Sequence, residues 1–497
     1  MTKLNSRRIL LVHPLGYQAS AAQADIARKA NLMPPLGLAS IAAYLEEKGI
    51  KADILDCFAV PMSADRRFKT YLKLLKPAWV GFSCTTSSFL DGVRLAQLAK
   101  EISPEIRTFC GGPHASALKA GLLADYPAFD YLVVGEGEET VRQLMDEPDN
   151  CDKIPGLVFW NSAGKTEFTD YREPGVDLDR LPFPAYEKLE GFPKIYRLPI
   201  FNYPKAPNTS CISSRGCPYT CSYCDRSVFR RTFRYNSAAY LYRHLEYLKN
   251  RFGMRHINFY DDQFTFNRKR IKEFCQLLKA RPLDMTFNCA VRAEHVDGEI
   301  LTLMKAAGCW MISLGIESGD ANLLSRHRQK VDLDFMTEQV HLIKKCGIRV
   351  KGLFMVGLPG ETKESVQRSI SYLKSLPIDE LNVAKFTPFP GSPLYENIHD
   401  FGQFQEDWPK MDCMSFQFIP NGMDRDELEK LFLEFYQAHF KRPRTILNYV
   451  GMLKHSPDSW LRFGANLGSF LRFARSSENR ILTAPSNPQA EANSEPL

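Results

Sequence analysis

Between residues 8 and 145, short runs of apolar, β-branched and aromatic residues (Arg8–His13, Ala52–Leu55, Trp79–Ser83, Arg107–Gly111, Tyr131–Val134) alternate with stretches of helical period such as Gly37–Glu47 and Asp91–Glu101. That alternation predicts a doubly wound, Rossmann-like α/β domain over residues 1–145, built on a parallel sheet. Several of its strands run into small residues: Ser83–Ser88 with Thr85 and Ser87, then Gly111, Gly112, Pro113 and His114, then Gly135, Glu136, Gly137 and Glu138. Sheets of this kind hold ligands at those carboxyl ends. Residues 146–205 carry Pro155, Pro174, Pro182, Pro184, Pro193 and Pro199 with little periodicity, and read as a linker with a short hairpin.

The alternation resumes at 206. Strand-like runs at Thr209–Ser213, His256–Tyr260, Met285–Ala290, Met311–Ile316, Val350–Val356 and Leu381–Phe386 are separated by helical patterns at Ala238–Arg251, Arg268–Lys279, Gly298–Ala307, Leu333–Cys346 and Lys363–Leu376. Six consecutive β/α units over residues 206–400 predict a partial (β/α)6 barrel. Residues 401–475 read as a helical extension, with Asp424–Phe440 its clearest segment, and the Pro/Ala/Ser/Glu-rich residues 476–497 read as a disordered tail.

Composition narrows the setting. The 13 cysteines are scattered except for one tight group, unlike the framework of a disulfide-stapled secreted domain. The first residues reach only a short apolar stretch, Ile9–Val12, far below a signal-peptide core or a membrane span. The expected location is therefore the cytoplasm. A net charge of +7, spread without a long basic run, argues against a nucleic-acid partner.

The tight group places Cys217, Cys221 and Cys224 in a C-x3-C-x2-C loop directly after the first strand of the second unit. A structural zinc site is the alternative, but it takes four closed ligands and usually pairs two C-x2-C knuckles. Only one knuckle is present, and Cys211 lies inside the predicted strand. Three thiolates on a four-iron cubane instead leave one iron open to a chelating substrate. With Tyr223 before the last cysteine, this loop on the first unit of a six-unit barrel resembles the radical SAM superfamily. The resemblance implies a [4Fe-4S] cluster on Cys217, Cys221 and Cys224, S-adenosylmethionine (SAM) at the open iron, and backbone contact of Tyr223 with adenine. It also implies a 5′-deoxyadenosyl radical, made with one electron from a reductant such as flavodoxin or ferredoxin.

Glu317, Ser318 and Gly319, in Gly315–Gly319, resemble the family segment that contacts the amino acid and ribose of SAM, with a plain turn as the alternative. Gly357 and Pro359, in Gly352–Glu361, and the segment Pro388–Tyr395 match wording typical of one branch of the superfamily, and the resemblance implies that Gly357 and Pro359 contact SAM. Asp261 and Asp262 either face the barrel mouth or cap the next helix. Arg292 either reaches the SAM carboxylate or pairs with Glu294.

The glycine and hydroxyl loops of the first domain, with Pro34–Gly37, resemble the cobalamin-binding domain that precedes the barrel in a large group of these enzymes. Small residues there clear a slot for the nucleotide tail of cobalamin. The implied contacts are Thr85, Ser87, Gly111, Gly112, Pro113, His114, Gly135, Glu136 and Gly137. The G-x-G-x-x-G fingerprint of a dinucleotide site is absent after the first strand. Many cobalamin proteins carry D-x-H-x-x-G here; Leu11–Gly16 keeps His13 without the aspartate that would orient it, so cobalt is expected without a protein histidine.

Trp460, Leu461, Phe463, Leu467, Phe470, Leu471 and Phe473, with Arg462, Arg472 and Arg475, form an apolar, basic stretch. Packing on the barrel mouth is the favoured reading, and peripheral membrane contact through residues 459–475 the alternative. As a whole the chain resembles the cobalamin-dependent radical SAM branch that holds the anaerobic magnesium-protoporphyrin monomethyl ester cyclase and several C-methyltransferases. The leading expectation is methyl transfer to an unactivated carbon of a small, hydrophobic or lipid-like molecule. Cyclisation, ring rearrangement or oxidation, a radical enzyme with no cobalamin, and a noncatalytic zinc protein are the alternatives. An RNA methylthiotransferase is disfavoured because Cys57, Cys84 and Cys110 lie far apart.

Overall fold

In the computed structural model the described residues are 4–16, 32–174 and 177–468. The tail at 476–497 and the aromatic and basic residues from Phe470 to Arg475 lie outside them.

The first sheet contains β1 (Asn5–His13), β2 (Lys51–Asp56), β3 (Pro77–Ser83), β4 (Arg107–Gly111) and β5 (Tyr131–Val133), all parallel. A hairpin of β6 (Leu157–Trp160) and β7 (Thr166–Phe168) extends its edge antiparallel, giving the order β2-β1-β3-β4-β5-β6-β7. Two strands from the proline-rich segment thus complete this sheet. Ile9, Leu10, Leu11 and Val12 are fully buried because β1 is central and covered on both faces. The strand order reverses between β1 and β3, the place where open α/β sheets leave a crevice for ligands.

The second sheet is an open half-barrel of six parallel strands in sequence order: β8 (Asn208–Cys211), β11 (His256–Phe259), β12 (Thr286–Val291), β13 (Cys309–Glu317), β14 (Arg349–Val356) and β15 (Glu380–Lys385). Its outer helices start where side chains satisfy the free N–H groups of the first turn. Ser237, Asn267, Asp297, Asp332 and Thr362 each accept from the backbone three residues on. Along β14 Arg349, Lys351, Leu353 and Met355 alternate with the buried Val350, Gly352, Phe354 and Val356, so the first set faces the lumen.

Between β8 and β11 a two-stranded ribbon, β9 (Ser214–Arg215) with β10 (Arg234–Tyr235), closes the loop that carries the three cysteines. After the half-barrel come a small hairpin, β16 (Gly402–Phe404) with β17 (Phe418–Pro420), and helices Arg425–Phe440, Pro443–His455 and Pro457–Ala465. One apolar cluster runs from Ile9 and Leu11 in the first sheet to Ile257 and Phe287 in the second, so the two units share a core.

Candidate active site

The cysteine loop leaves β9 at Gly216, whose φ is +87° and where a side chain would meet the Thr232 carbonyl oxygen at 2.2 Å. Only glycine lets the loop fold back so closely on its own return. Ahead of it, Arg215 reaches the first domain: its Nη2 donates to Glu138 Oε1 (2.6 Å) and its Nη1 to Glu136. Burial raises the pKa of Glu138, but Arg215 outweighs this and the net shift is downward. Arg215→Ala would leave Glu138 buried without its cation, at a cost of about 3 kcal/mol. The expected result is a clear drop in the thermal unfolding midpoint, partly recovered by adding Glu138→Gln. An unchanged midpoint would show that the pair contributes nothing.

From behind, two turns hold the loop. The Ser222 N–H donates to the His327 carbonyl (3.0 Å), and Ser222 Oγ lies 2.9 Å from His327 Nδ1. His327 Nε2 lies 2.8 Å from the Pro359 carbonyl. Burial lowers the pKa of this imidazole, so the neutral ring donates from Nε2 and accepts at Nδ1. Gly391 permits a second close approach, because a side chain there would overlap Asp225 Oδ1 at 1.9 Å. Pro359, through His327, and the Pro388–Tyr395 segment, through Gly391, thus back the cysteine loop; neither Gly357 nor Pro359 is among the residues that line the cysteine cavity.

Cys217, Cys221 and Cys224 share one cavity of about 400 Å³ with Tyr223, Arg292, Glu317 and Arg328. A hydrogen bond from the Cys224 thiol, stronger than the opposing effect of burial, brings Cys221 down to about 5, with Arg292 and Arg328 adding to the shift. Arg292 Nη1 is 3.8 Å from Cys221 Sγ, and the guanidinium lies 4.0 Å from the centre of the Tyr219 ring. It also donates to Glu294 Oε1 (2.9 Å), so the two roles open to it from sequence are compatible. Three thiols on one loop, with two guanidinium groups to offset an anionic thiolate cluster, fit a [4Fe-4S] group.

Glu317 adopts φ +66° at an irregularity in the β13–β14 pairing, a conformation that β-strand residues avoid and that clusters at functional sites. Burial raises its pKa to about 7. Arg328, which sequence reading missed, donates to the Gly315 carbonyl (2.6 Å) beside it. Of the acids Asp225, Asp262 and Glu317 and the arginines Arg226, Arg230, Arg292 and Arg328 that line the cavity, Glu317 with Arg292 and Arg328 are the groups that an amino acid's ammonium and carboxylate would meet.

Two further cavities adjoin this one. A slot of about 310 Å³ lies between the carboxyl ends of the first sheet and the cysteine loop, lined by Gly111, Gly112, Pro113, Gly135, Glu136 and Gly137. Pro113, Val228 and Phe229 border both the slot and the cysteine cavity. On the other side Asp262, Ala290, Ser313 and Leu353 border both the cysteine cavity and a space of about 1080 Å³ inside the half-barrel. A glycine-lined slot at the carboxyl ends of β3, β4 and β5 suits the nucleotide tail of a corrinoid.

Other sequence-based candidates sit elsewhere. Thr85 and Ser87 bond each other (3.2 Å) in the turn after β3. His114 is fully buried, 4.5 Å by ring centres from both Phe89 and Trp408, and burial lowers its pKa to about 4. Ser318 Oγ pairs with Ser369 Oγ (2.8 Å), and Ser369 also accepts from the Gly319 N–H, so both residues turn to the helix Lys363–Ser375. His13 Nδ1 is 3.1 Å from Asp56 Oδ1: the carboxylate missing from its own motif comes from the neighbouring strand. Asp261 accepts from the Ser213 N–H (2.6 Å), whereas Asp262 faces the cavities and Asn267 caps the next helix. Trp460 and Phe463 pack on Phe201, with ring centres 5.3 and 5.9 Å away, and help wall the barrel space. No described helix is long and apolar enough to cross a membrane.

Glu361 holds the turn at Gly357. Its Oε2 accepts from the Leu358 N–H (3.2 Å) and the Gly357 N–H, and burial pushes its pKa up to about 8. Between the unfolded value near 4.5 and the folded value, folding takes up a proton, so stability falls as pH rises through that window and the loss is complete above pH 8. Glu361→Gln copies the protonated acid and removes the slope. Its advantage over the wild type in thermal unfolding should be absent near pH 4 and reach the order of 4 kcal/mol by pH 9; parallel pH profiles would overturn this.

Comparison with known proteins agrees with this arrangement. Residues 211–373 match the Radical SAM superfamily and residues 23–145 match the B12 binding domain. An uncharacterized methyltransferase of Pyrococcus horikoshii is 28% identical over 427 residues, covering 84% of this chain and 90% of its own length. The anaerobic magnesium-protoporphyrin IX monomethyl ester cyclase of Rubrivivax gelatinosus is 29% identical over 444 residues, covering 87% and 77%. Among solved structures, the cobalamin-dependent S-adenosylmethionine radical enzyme OxsB with aqua-cobalamin has the same fold, with a TM-score of 0.69 at 15% identity over 96% of this chain and 82% of that one.

Proposed function

We propose that this chain, which belongs to the radical SAM superfamily and carries a B12-binding domain ahead of its half-barrel, transfers a methyl group to an unactivated carbon of a small, largely apolar molecule. The carrying observation is the row of three adjoining cavities, glycine slot, cysteine chamber and barrel space. The cofactors supply the hard chemistry: reductive SAM cleavage to a 5′-deoxyadenosyl radical at the cluster, and a methyl group carried on cobalamin. A one-electron reductant of the flavodoxin or ferredoxin kind drives the cleavage.

The chain's own share is placement. Cys217, Cys221 and Cys224 hold the cluster, while Glu317, Arg292 and Arg328 orient the charged end of SAM. Gly111, Gly112, Gly135 and Gly137 leave room for the corrinoid tail. The aromatic wall of the barrel space keeps water from the reacting carbon.

Anaerobic reconstitution with iron, sulfide and hydroxocobalamin, followed by metal analysis and product assay, tests the proposal. About four irons and one cobalt per chain are expected, with S-adenosylhomocysteine and 5′-deoxyadenosine formed together as substrate is consumed. Cyclase chemistry is the second reading, favoured by the Rubrivivax gelatinosus relative. It would give 5′-deoxyadenosine without S-adenosylhomocysteine. Iron without cobalt would remove the methyl carrier and leave the radical step; zinc alone would remove both.

A further inference from the structure

The barrel space, at about 1080 Å³, exceeds what an ordinary drug-sized ligand needs. Phe201, Trp460 and Phe463 give it an apolar outer wall, but its floor carries a charge. Lys351 lines it from β14 and forms no hydrogen bond or ion pair with a described residue. Its nearest acid is already engaged: Glu380, opposite Lys351 across β14 and β15, accepts from Arg349 (3.0 Å) and from the Tyr449 hydroxyl (2.7 Å). Asp261, the deeper of the two adjacent aspartates, is taken up by Ser213. Among the described lining residues Lys351 is the one cation beside the acids Asp261, Asp262 and Glu380, and burial lowers its pKa more than Glu380 raises it. Glu380 offsets part of its charge but is shared with Arg349, so an ammonium with no hydrogen-bond acceptor of its own favours an anion that can enter.

Position fixes how such an anion would lie. Lys351 and Leu353 face the lumen from the same side of β14, about 7 Å apart, and Leu353 belongs to the neck shared with the cysteine chamber. We propose that Lys351 binds the single anionic group, a carboxylate or a phosphate, of an apolar-bodied substrate whose reacting carbon lies at the neck beside Asp262. This rests on the methyl-transfer reading and adds the charge of the substrate to it.

Equilibrium dialysis of decanoate, decyl phosphate and decanol against the anaerobically reconstituted holoprotein tests the assignment. At least one of the two anions should bind at least about ten-fold tighter than the alcohol, the discrimination expected of a charge-assisted hydrogen bond. Whichever anion binds tighter identifies the headgroup. Lys351→Met should erase the preference while decanol still binds, and Lys351→Arg should keep it. Equal binding of all three by the wild type, or a preference that survives Lys351→Met, overturns the inference. SAM cleavage on the same preparation separates the two claims. Cleavage without an anion preference sinks only the inference, and an anion preference without cleavage sinks only the enzymatic reading.

Discussion

Cys221→Ala should reduce iron from about four per chain to less than one and abolish reductive SAM cleavage, the largest functional loss expected of any single substitution here. The argument is one of coordination number. With three protein thiols the cluster has no spare thiolate, and the cavity around Cys221 offers guanidinium groups, which bind no metal, and the hard carboxylates Asp225, Asp262 and Glu317, which replace a soft thiolate poorly. Cys211→Ala is the matched control. Cys211 is fully buried in β8 with its Sγ 3.3 Å from His244 Nδ1, and it lies outside the cysteine chamber. Iron should stay with the Cys211 variant and leave the Cys221 variant, read by anaerobic metal analysis and the visible absorption of the cluster. Retention of iron by Cys221→Ala would refute the ligand assignment, and equal losses in both would point to a folding defect.

Gly111→Leu should separate the two cofactors. Gly111 lines the slot, and an added side chain would begin in ordinary contact, 3.5 Å from the Val133 carbonyl oxygen, without the backbone strain that attends Gly112 at φ +96°. The leucine branch would take up part of a slot of only about 310 Å³. Cobalt retained after desalting should fall at least about ten-fold, because a well-packed site does not absorb a side chain of that size. Iron should remain near its wild-type level. Undiminished cobalt would place the corrinoid elsewhere; joint loss of cobalt and iron would show that the substitution damaged the fold.

The thiol loop was legible because its chemistry is local: three ligands and an aromatic residue fall within eight positions. The six β/α units were legible for the same reason, since period and capping residues are short-range signals. What escaped were partners brought in from other strands. Arg328 sits beside Glu317 after a turn and a helix, His327 reaches back to Ser222, and Asp56 meets His13 only because β1 and β2 pair in register. Ser318 and His114 have the composition expected of ligand contacts, but which way each side chain points depends on tertiary packing that no spacing rule encodes. Asp261 and Asp262 illustrate the limit most directly: adjacent and chemically identical, they divide into a structural acid and a cavity acid because successive side chains diverge at the end of a strand.

The outer wall of the barrel space is built from Phe440, Tyr449, Trp460 and Phe463, close to the end of the described chain. A polypeptide leaves the ribosome from its N-terminus, and its domains fold as they emerge. The glycine slot and the thiol loop therefore emerge before this wall does. Until the wall follows, the future chamber is an open trough; once the wall has packed, it is enclosed. The moment at which iron, sulfide and corrinoid are supplied to a producing cell, relative to the onset of translation, thereby becomes a variable that the order of segments along the chain imposes on maturation.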